Sequence, residues 1–123
     1  MRVTENFTLD EFQSKDGALM PDDVLENIIE LAENLQILRD YLKAPIRINS
    51  AYRSPEHNKS VGGASRSKHL LGQAADITSD GYTPKQVHET IEKLIKDGSI
   101  KQGGLGSYNT FTHYDIRGTK ARW

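Results

Sequence analysis

Apolar residues between positions 21 and 42 recur at intervals of three and four, which is typical of an amphipathic helix. We expect this helix to begin at Pro21, because proline is favoured at the first helical position. Asp22 and Asp23 then fall in the first turn, where negative charge is stabilised. We interpret the apolar stripe as core packing, and its members are Val24, Leu25, Ile28, Ile29, Leu31, Leu35, Leu38 and Leu42.

The rest of the chain predicts shorter elements. Ala44-Pro45 ends the first helix, and Ile46–Ser50 alternates apolar and polar positions like a strand with one buried face. Capping patterns at residues 8–11 and 83–86 each predict the start of a helix. The predicted helical segments are 9–13, 55–59 and 84–97, and the predicted strands are 46–50, 74–77, 103–108 and 110–117.

Net charge, cysteine content and the length of apolar runs exclude several classes of function. The chain has 123 residues and a formal charge of −1 without a basic tract, so we expect one domain over residues 1–123 and no nucleic-acid partner. It has no cysteine, so any metal must be bound by histidine and carboxylate side chains. No apolar run approaches the roughly 20 residues that cross a bilayer, and the first residues lack a signal peptide's apolar region. We therefore expect a protein that is cytoplasmic when synthesised and has no membrane partner, and we take it to be a monomer.

Two histidines and an aspartate carry candidate metal chemistry. His69 and Asp76 are seven residues apart, and Gly72 between them interrupts any continuous helix. We expect a turn to carry His69 and the following strand to carry Asp76, while His113 arrives from a neighbouring strand. Two imidazoles and a carboxylate are the ligand set of a catalytic zinc site, in which water takes the fourth position.

The directions of the side chains along the last predicted strand help to judge the candidate metal site. Side chains two residues apart share one face of a strand, so His113, Asp115 and Arg117 point the same way. Tyr114 and Ile116 point the other way, as a buried face requires. A polar trio is also what a solvated sheet face shows, and the upstream histidine and aspartate are what favour a metal cleft.

These segments resemble a known family. Residues 67–76 have the pattern S-x-H-x-x-G-x-A-x-D, and residues 113–115 have the pattern H-x-D. Together they resemble the zinc D,D-carboxypeptidase and endopeptidase family, peptidase family M15, in its small phage-type branch. Residues 48–55 match the family's block of a strand followed by an arginine, and residues 6–12 resemble the start of the small phage-type members.

The resemblance implies an α+β fold in which a small antiparallel sheet carries the zinc site and helices pack against it, as in D,D-peptidases and Hedgehog proteins. It implies a zinc peptidase that hydrolyses stem-peptide amide bonds of peptidoglycan. Two kinds of bond are possible sites of cleavage. One is a D-Ala bond, cut by a D,D-carboxypeptidase or endopeptidase, and the other is the L-Ala–D-Glu bond. A cytoplasmic enzyme of this kind would reach the wall after lysis, as a phage endolysin does, or by delivery within a particle.

The resemblance also implies roles for residues around the metal. The zinc ligands would be the two histidines and the aspartate named above. Arg53 corresponds to an arginine that contacts the substrate or stabilises charge on the scissile carbonyl, which a permanently charged guanidinium can do. Ser67 corresponds to a serine that helps to hold the peptide, and its alternative role is a turn hydroxyl that caps the next helix. Tyr108 is a second candidate for stabilising the oxyanion.

The chain departs from the family shortly before the last histidine ligand. Many members carry a glutamate three residues before the last histidine ligand as general base, and this chain has Thr110 there. Other branches carry a histidine five residues before that ligand, where this chain has Tyr108. Asp115 is the nearest carboxylate in sequence on the metal-facing side. It could act as the base, or it could orient His113 or Arg53 as a hydrogen-bond partner, which is the role we favour.

Two other interpretations stay open. In one, the protein keeps zinc and the cleft but binds wall peptides without cutting them, as a phage structural component would. The absent glutamate is its best support. In the other, the metal is purely structural, but a closed structural site normally has four protein ligands.

Overall fold

A computed structural model describes residues 1–123. Three α-helices and five strands, together with two short 3-10 helices, confirm the predicted α+β class. None of the helices has both the length and the apolar character that crossing a bilayer requires. In chain order the elements are a 3-10 helix (Leu9–Phe12), α1 (Asp22–Leu42), β1 (Ile46–Ser50), α2 (Pro55–Ser60), a second 3-10 helix (Lys68–Leu71), β2 (Ala74–Ser79), α3 (Pro84–Lys96), β3 (Gly104–Ser107), β4 (Thr112–Asp115) and β5 (Ala121–Arg122).

The strands form one sheet in the order β1-β2-β4-β3-β5. The first four pair antiparallel, as the resemblance implied. β5 pairs parallel with β3, so the sheet is mixed and not purely antiparallel. β5 is not predictable from the sequence, because a strand of two residues is too short to show alternation.

α1 contributes its apolar stripe to the core, which also contains Ile77 of β2 and Tyr114 of β4. Ile29 was assigned to this stripe and is 38% exposed. The assignment was wrong because consecutive residues lie about 100° apart around a helix, and Ile28 occupies the buried side. The members of the stripe that are almost completely buried are Ile28, Leu31, Leu35 and Leu38.

The predicted helix starts are found in three cases and differ in one. The first 3-10 helix begins at Leu9, directly after Thr8, where the first capping pattern places it. Thr83 and Gln86 form the predicted capping box before α3. Ser54 caps α2 by accepting a hydrogen bond from the His57 backbone N–H. α1 begins one residue later than predicted, because Pro21 has an extended ψ of 156° and precedes the helix instead of opening it.

Replacing Leu35 by alanine tests the packing of α1. Leu35 is 1% exposed. Leu35→Ala should therefore lower the free energy of unfolding by about 2–5 kcal/mol, because it removes buried methyl groups and leaves a cavity. Ile37→Ala on the same helix is the control, because Ile37 is 41% exposed and should cost less than about 1 kcal/mol. Urea denaturation followed by circular dichroism measures both, and equal losses would contradict the orientation of α1.

Candidate metal centre

The three predicted ligands meet at one point. His69 lies in the second 3-10 helix, Asp76 in β2 and His113 in β4. Asp76 Oδ1 lies 3.2 Å from His69 Nε2 and 3.1 Å from His113 Nδ1. The three ligand atoms lie within 4.8 Å of one another, and all three residues are buried. They are placed to bind a metal ion.

The register of the sheet accounts for two of the three positions. Asp76 and His113 are directly opposed in the antiparallel pair β2–β4, and opposed side chains lie on the same face of a sheet. Asp115 shares that face and contacts His113, while Tyr114 between them lies in the core, as alternation predicted.

The turn that carries His69 is fixed at both ends. Ser67 Oγ accepts a hydrogen bond of 3.2 Å from the His69 backbone N–H, which is the capping role that was one of its two predicted uses. Gly72 ends the turn with a φ of 72°, and a Cβ there would lie 2.7 Å from Val24 Cγ1 of α1. Glycine is therefore required both by the backbone conformation and by the close approach of α1.

The outer nitrogen of each imidazole has a fixed acceptor. His69 Nδ1 donates to the Ala51 carbonyl, and His113 Nε2 donates to Asp115 Oδ2, both at 2.7 Å. A carbonyl can only accept, so neutral His69 carries its proton on Nδ1. The inner nitrogens then present lone pairs to an Asp76 oxygen that is also an acceptor. Three such acceptors repel unless a proton or a metal cation lies among them, and this donor set fits a divalent metal.

Electrostatics keep the two aspartates in the charged form that the site needs. Burial alone would raise the pKa of Asp76, but His113 and His69, which donate hydrogen bonds to it when their inner nitrogens are protonated, outweigh burial and hold that pKa well below its usual range. Burial also acts to raise the pKa of Asp115, and hydrogen bonds from Arg117 and His113 overcome it in the same way. Both carboxylates are therefore ionised at neutral pH.

Asp115 lies behind His113 and is fully buried. It accepts hydrogen bonds of 2.8 Å from both Nε and Nη2 of Arg117, and one of 2.9 Å from the Gly104 N–H. A Cβ at position 104 would lie 2.2 Å from Asp115 Oδ2, so the approach requires glycine. Of the two partners suggested by the sequence, Asp115 contacts His113, whereas Arg53 bonds to other groups.

Arg53 lies beside the ligands and lines the cleft. Its Nη2 donates to Asp76 Oδ2 at 3.2 Å, its Nε to Ser50 Oγ at 3.1 Å and its Nη1 to Asn58 Oδ1 at 3.3 Å. The Arg53 side chain is 15% exposed. Three hydrogen bonds to different elements therefore fix the guanidinium next to the candidate metal ligands.

The cleft above the ligands has a volume of about 480 Å³ and an aromatic wall. Tyr108 stacks on Phe111 with ring centroids 4.4 Å apart, and its hydroxyl accepts a hydrogen bond of 2.9 Å from Trp123 Nε1. The Trp123 ring lies 4.9 Å from the His113 ring. Trp123 was not among the predicted site residues, because it follows a strand that is too short to show a periodic pattern. Its being the single tryptophan of the chain was the one sign available.

Thr110 and the two other histidines of the chain lie apart from the candidate ligands. Thr110 is exposed between β3 and β4. His57 lies on α2 and His88 on α3, and neither lines the cleft. His69, Asp76 and His113 are the one group of three such side chains in residues 1–123 whose ligand atoms converge.

Comparison with known protein families decides the assignment. The family model of peptidase M15 matches residues 3–115, which contain all three candidate ligands. The chain belongs to peptidase family M15. M15 peptidases depend on a metal, so this M15 member is a metallopeptidase, and the family predicted from the motifs is confirmed. A comparison with curated proteins gave no match.

Removing one ligand should abolish metal binding by this M15 protein. His69→Ala and His113→Ala each delete one of three donors, so neither variant should retain the ion through dialysis. His88→Ala is the control, because His88 lies on α3 and away from the cleft. Elemental analysis of the dialysed proteins measures the metal content per chain. Wild-type content in either ligand variant would contradict the assigned site.

Asp115→Asn tests the support behind His113. Asparagine keeps the shape but removes the charge that holds the His113 Nε2 proton, so metal affinity should fall by about 10–100-fold. Asp80→Asn is the control, because Asp80 pairs with Arg47 at the surface. Competition with a coloured chelator gives the affinities, and circular dichroism checks the fold. Unchanged affinity in a folded Asp115→Asn protein would rule out this supporting role.

Proposed function

We propose that the protein is a zinc-dependent peptidase that hydrolyses amide bonds of peptidoglycan stem peptides. The observation that carries the proposal is the convergence of His69, Asp76 and His113 in an open cleft. Three ligands of these types leave a fourth position for water, whereas a structural site is normally closed by four. Zinc held there would polarise an amide carbonyl and acidify water. Membership of family M15 supports peptidoglycan peptides as the general substrate.

Arg53 is assigned to stabilising negative charge that develops on the scissile carbonyl oxygen. Its guanidinium stays charged and offers paired donors beside Asp76. Hydrogen bonds to Ser50 and Asn58 fix its plane before the substrate arrives, so little reorganisation is needed during the reaction. Tyr108 lines the same cleft, is 42% exposed and is the second candidate for this task.

Ser67 and Asp115 are assigned different supporting roles. Ser67 lines the cleft, and because its Oγ accepts the His69 N–H, its own proton is free for a peptide carbonyl. Asp115 holds the ring of His113 through Nε2, and its complete burial separates it from water in the cleft. We therefore assign Asp115 to orienting His113 and not to proton transfer.

Peptide binding without cleavage, as in a phage structural component, is the second candidate function. It is favoured by Thr110, which stands where many M15 members carry the general-base glutamate. A threonine hydroxyl does not accept a proton from water at neutral pH. Asp76 is the one carboxylate side chain that lines the cleft, and it is already a metal ligand. Whether the cleft contains a residue that can act as general base therefore decides between the two functions.

A digest of purified peptidoglycan separates these functions. The protein is incubated with wall material with and without a chelator, and mass spectrometry identifies new amino termini. Release that stops on chelation and returns with zinc supports the peptidase and shows whether a D-Ala or an L-Ala–D-Glu bond is cut. Zinc and peptide binding without release would support the binding protein. Release that is indifferent to the chelator would contradict a metal-dependent reaction.

Arg53→Lys should slow turnover and leave the metal in place. Lysine keeps the positive charge but loses the paired donors, so kcat should fall by about 100-fold. Arg47→Lys is the control, because Arg47 lies on β1 with a side chain that is 72% exposed. Initial rates and zinc content are measured on both variants. A wild-type kcat for Arg53→Lys would refute the assigned role.

A further inference from the structure

Four cationic side chains line the cleft in addition to the metal ligands, and two of them have no partner. Arg53 and Arg117 are each paired with a buried aspartate. Arg66 and Lys68 line the same cleft, and their side chains form no ion pair within the protein. An unpaired cation on an open surface is solvated at little cost. Two unpaired cations in a concave site are suited to an anionic group of a ligand.

The loop before these cations is held in shape by a buried side chain. Asn58 Nδ2 donates to the Ala64 carbonyl at 2.9 Å, while Asn58 Oδ1 accepts a hydrogen bond from Arg53. A Cβ at Gly63 would lie 2.0 Å from Asn58 Oδ1, so the approach requires glycine. The backbone that leads to Arg66 is therefore positioned relative to Arg53.

The charge of the cleft differs from that of the whole chain. The formal net charge of the protein is −1, yet the cleft is lined by four Lys and Arg side chains and one carboxylate. That carboxylate, Asp76, is assigned to the metal and leaves Arg66 and Lys68 uncompensated. A concave cationic surface raises the local concentration of anionic ligands.

We propose that Arg66 and Lys68 bind a free carboxylate of the peptide substrate, away from the bond that is cut. The inference rests on the proposed function, because it states how the same cleft recognises its peptide. The Arg66 guanidinium can donate two parallel hydrogen bonds to a carboxylate, and the Lys68 ammonium adds a point charge. The cleft therefore selects acidic stem peptides over amidated ones.

Two carboxylates of a stem peptide have the required chemistry, namely the α-carboxylate of a γ-linked D-Glu and the terminal carboxylate. Four forms of L-Ala-γ-D-Glu-L-Lys-D-Ala-D-Ala, which contains both the L-Ala–D-Glu and the D-Ala–D-Ala bond, distinguish them: both groups free, either one amidated, or both amidated. Calorimetry on the zinc-loaded protein gives Kd, and initial rates give KM for any peptide that is cut. The test variant is Arg66→Gln/Lys68→Gln. The control is Lys59→Gln/Lys96→Gln, which removes the same charge from exposed positions outside the cleft.

The wild type and the control should bind the free acid about tenfold more tightly than the doubly amidated peptide, and the test variant should bind the two alike. The single amide that reproduces the loss identifies the carboxylate. Added salt should weaken binding of the free acid more in the wild type than in the test variant. Equal affinity of the wild type for all four peptides, or the same loss in the control, would overturn the proposal.

Failure of this inference and failure of the proposed function give different results. A wild type that cuts acidic and amidated peptides equally well remains a peptidase and has no carboxylate site. A wild type that prefers the acid but cuts neither these peptides nor purified peptidoglycan keeps the carboxylate site and is not a peptidase. A wild type that binds none of the four peptides overturns the carboxylate site directly.

Discussion

This site depends on the contacts that compensate for the buried charge of the Asp76 carboxylate. A charge removed from water is costly unless partners compensate for it, and Asp76 is only 7% exposed. His69 and His113 contact one of its oxygens, and Arg53 contacts the other. The turn before β2 brings His69 to it, the register of β2 with β4 brings His113, and the segment between β1 and α2 brings Arg53. The contacts that hold the sheet together therefore also position the side chains of the site.

Features with a local signal were predictable from the sequence. The strand Ile46–Ser50 and the capping box at Thr83 were predicted at the residues where they occur. The shared face of His113 and Asp115 followed from the two-residue period of a strand. The convergence of the ligands had no local signal, and it was predictable because the separate motifs resembled one family in the right order.

Features that depend on three-dimensional packing were not predictable in this way. Trp123 reaches the cleft through a two-residue strand with parallel pairing, which leaves no pattern in the sequence. Asp115 had two candidate partners on the metal side, and only the positions of the strands select His113 over Arg53. The buried side of α1 near Ile29 depends on which of two adjacent apolar residues meets the core.

Asn58 supports Arg53 and the neighbouring loop through the two ends of one amide group. Grafting this loop from a related protein would displace Arg53 unless the graft also had an amide side chain at position 58 and a glycine at position 63. In protein engineering, residues 58–64 should therefore be exchanged together. Exchanging these residues to alter the choice of ligand would also change the position of the Arg53 guanidinium beside the candidate metal ligands.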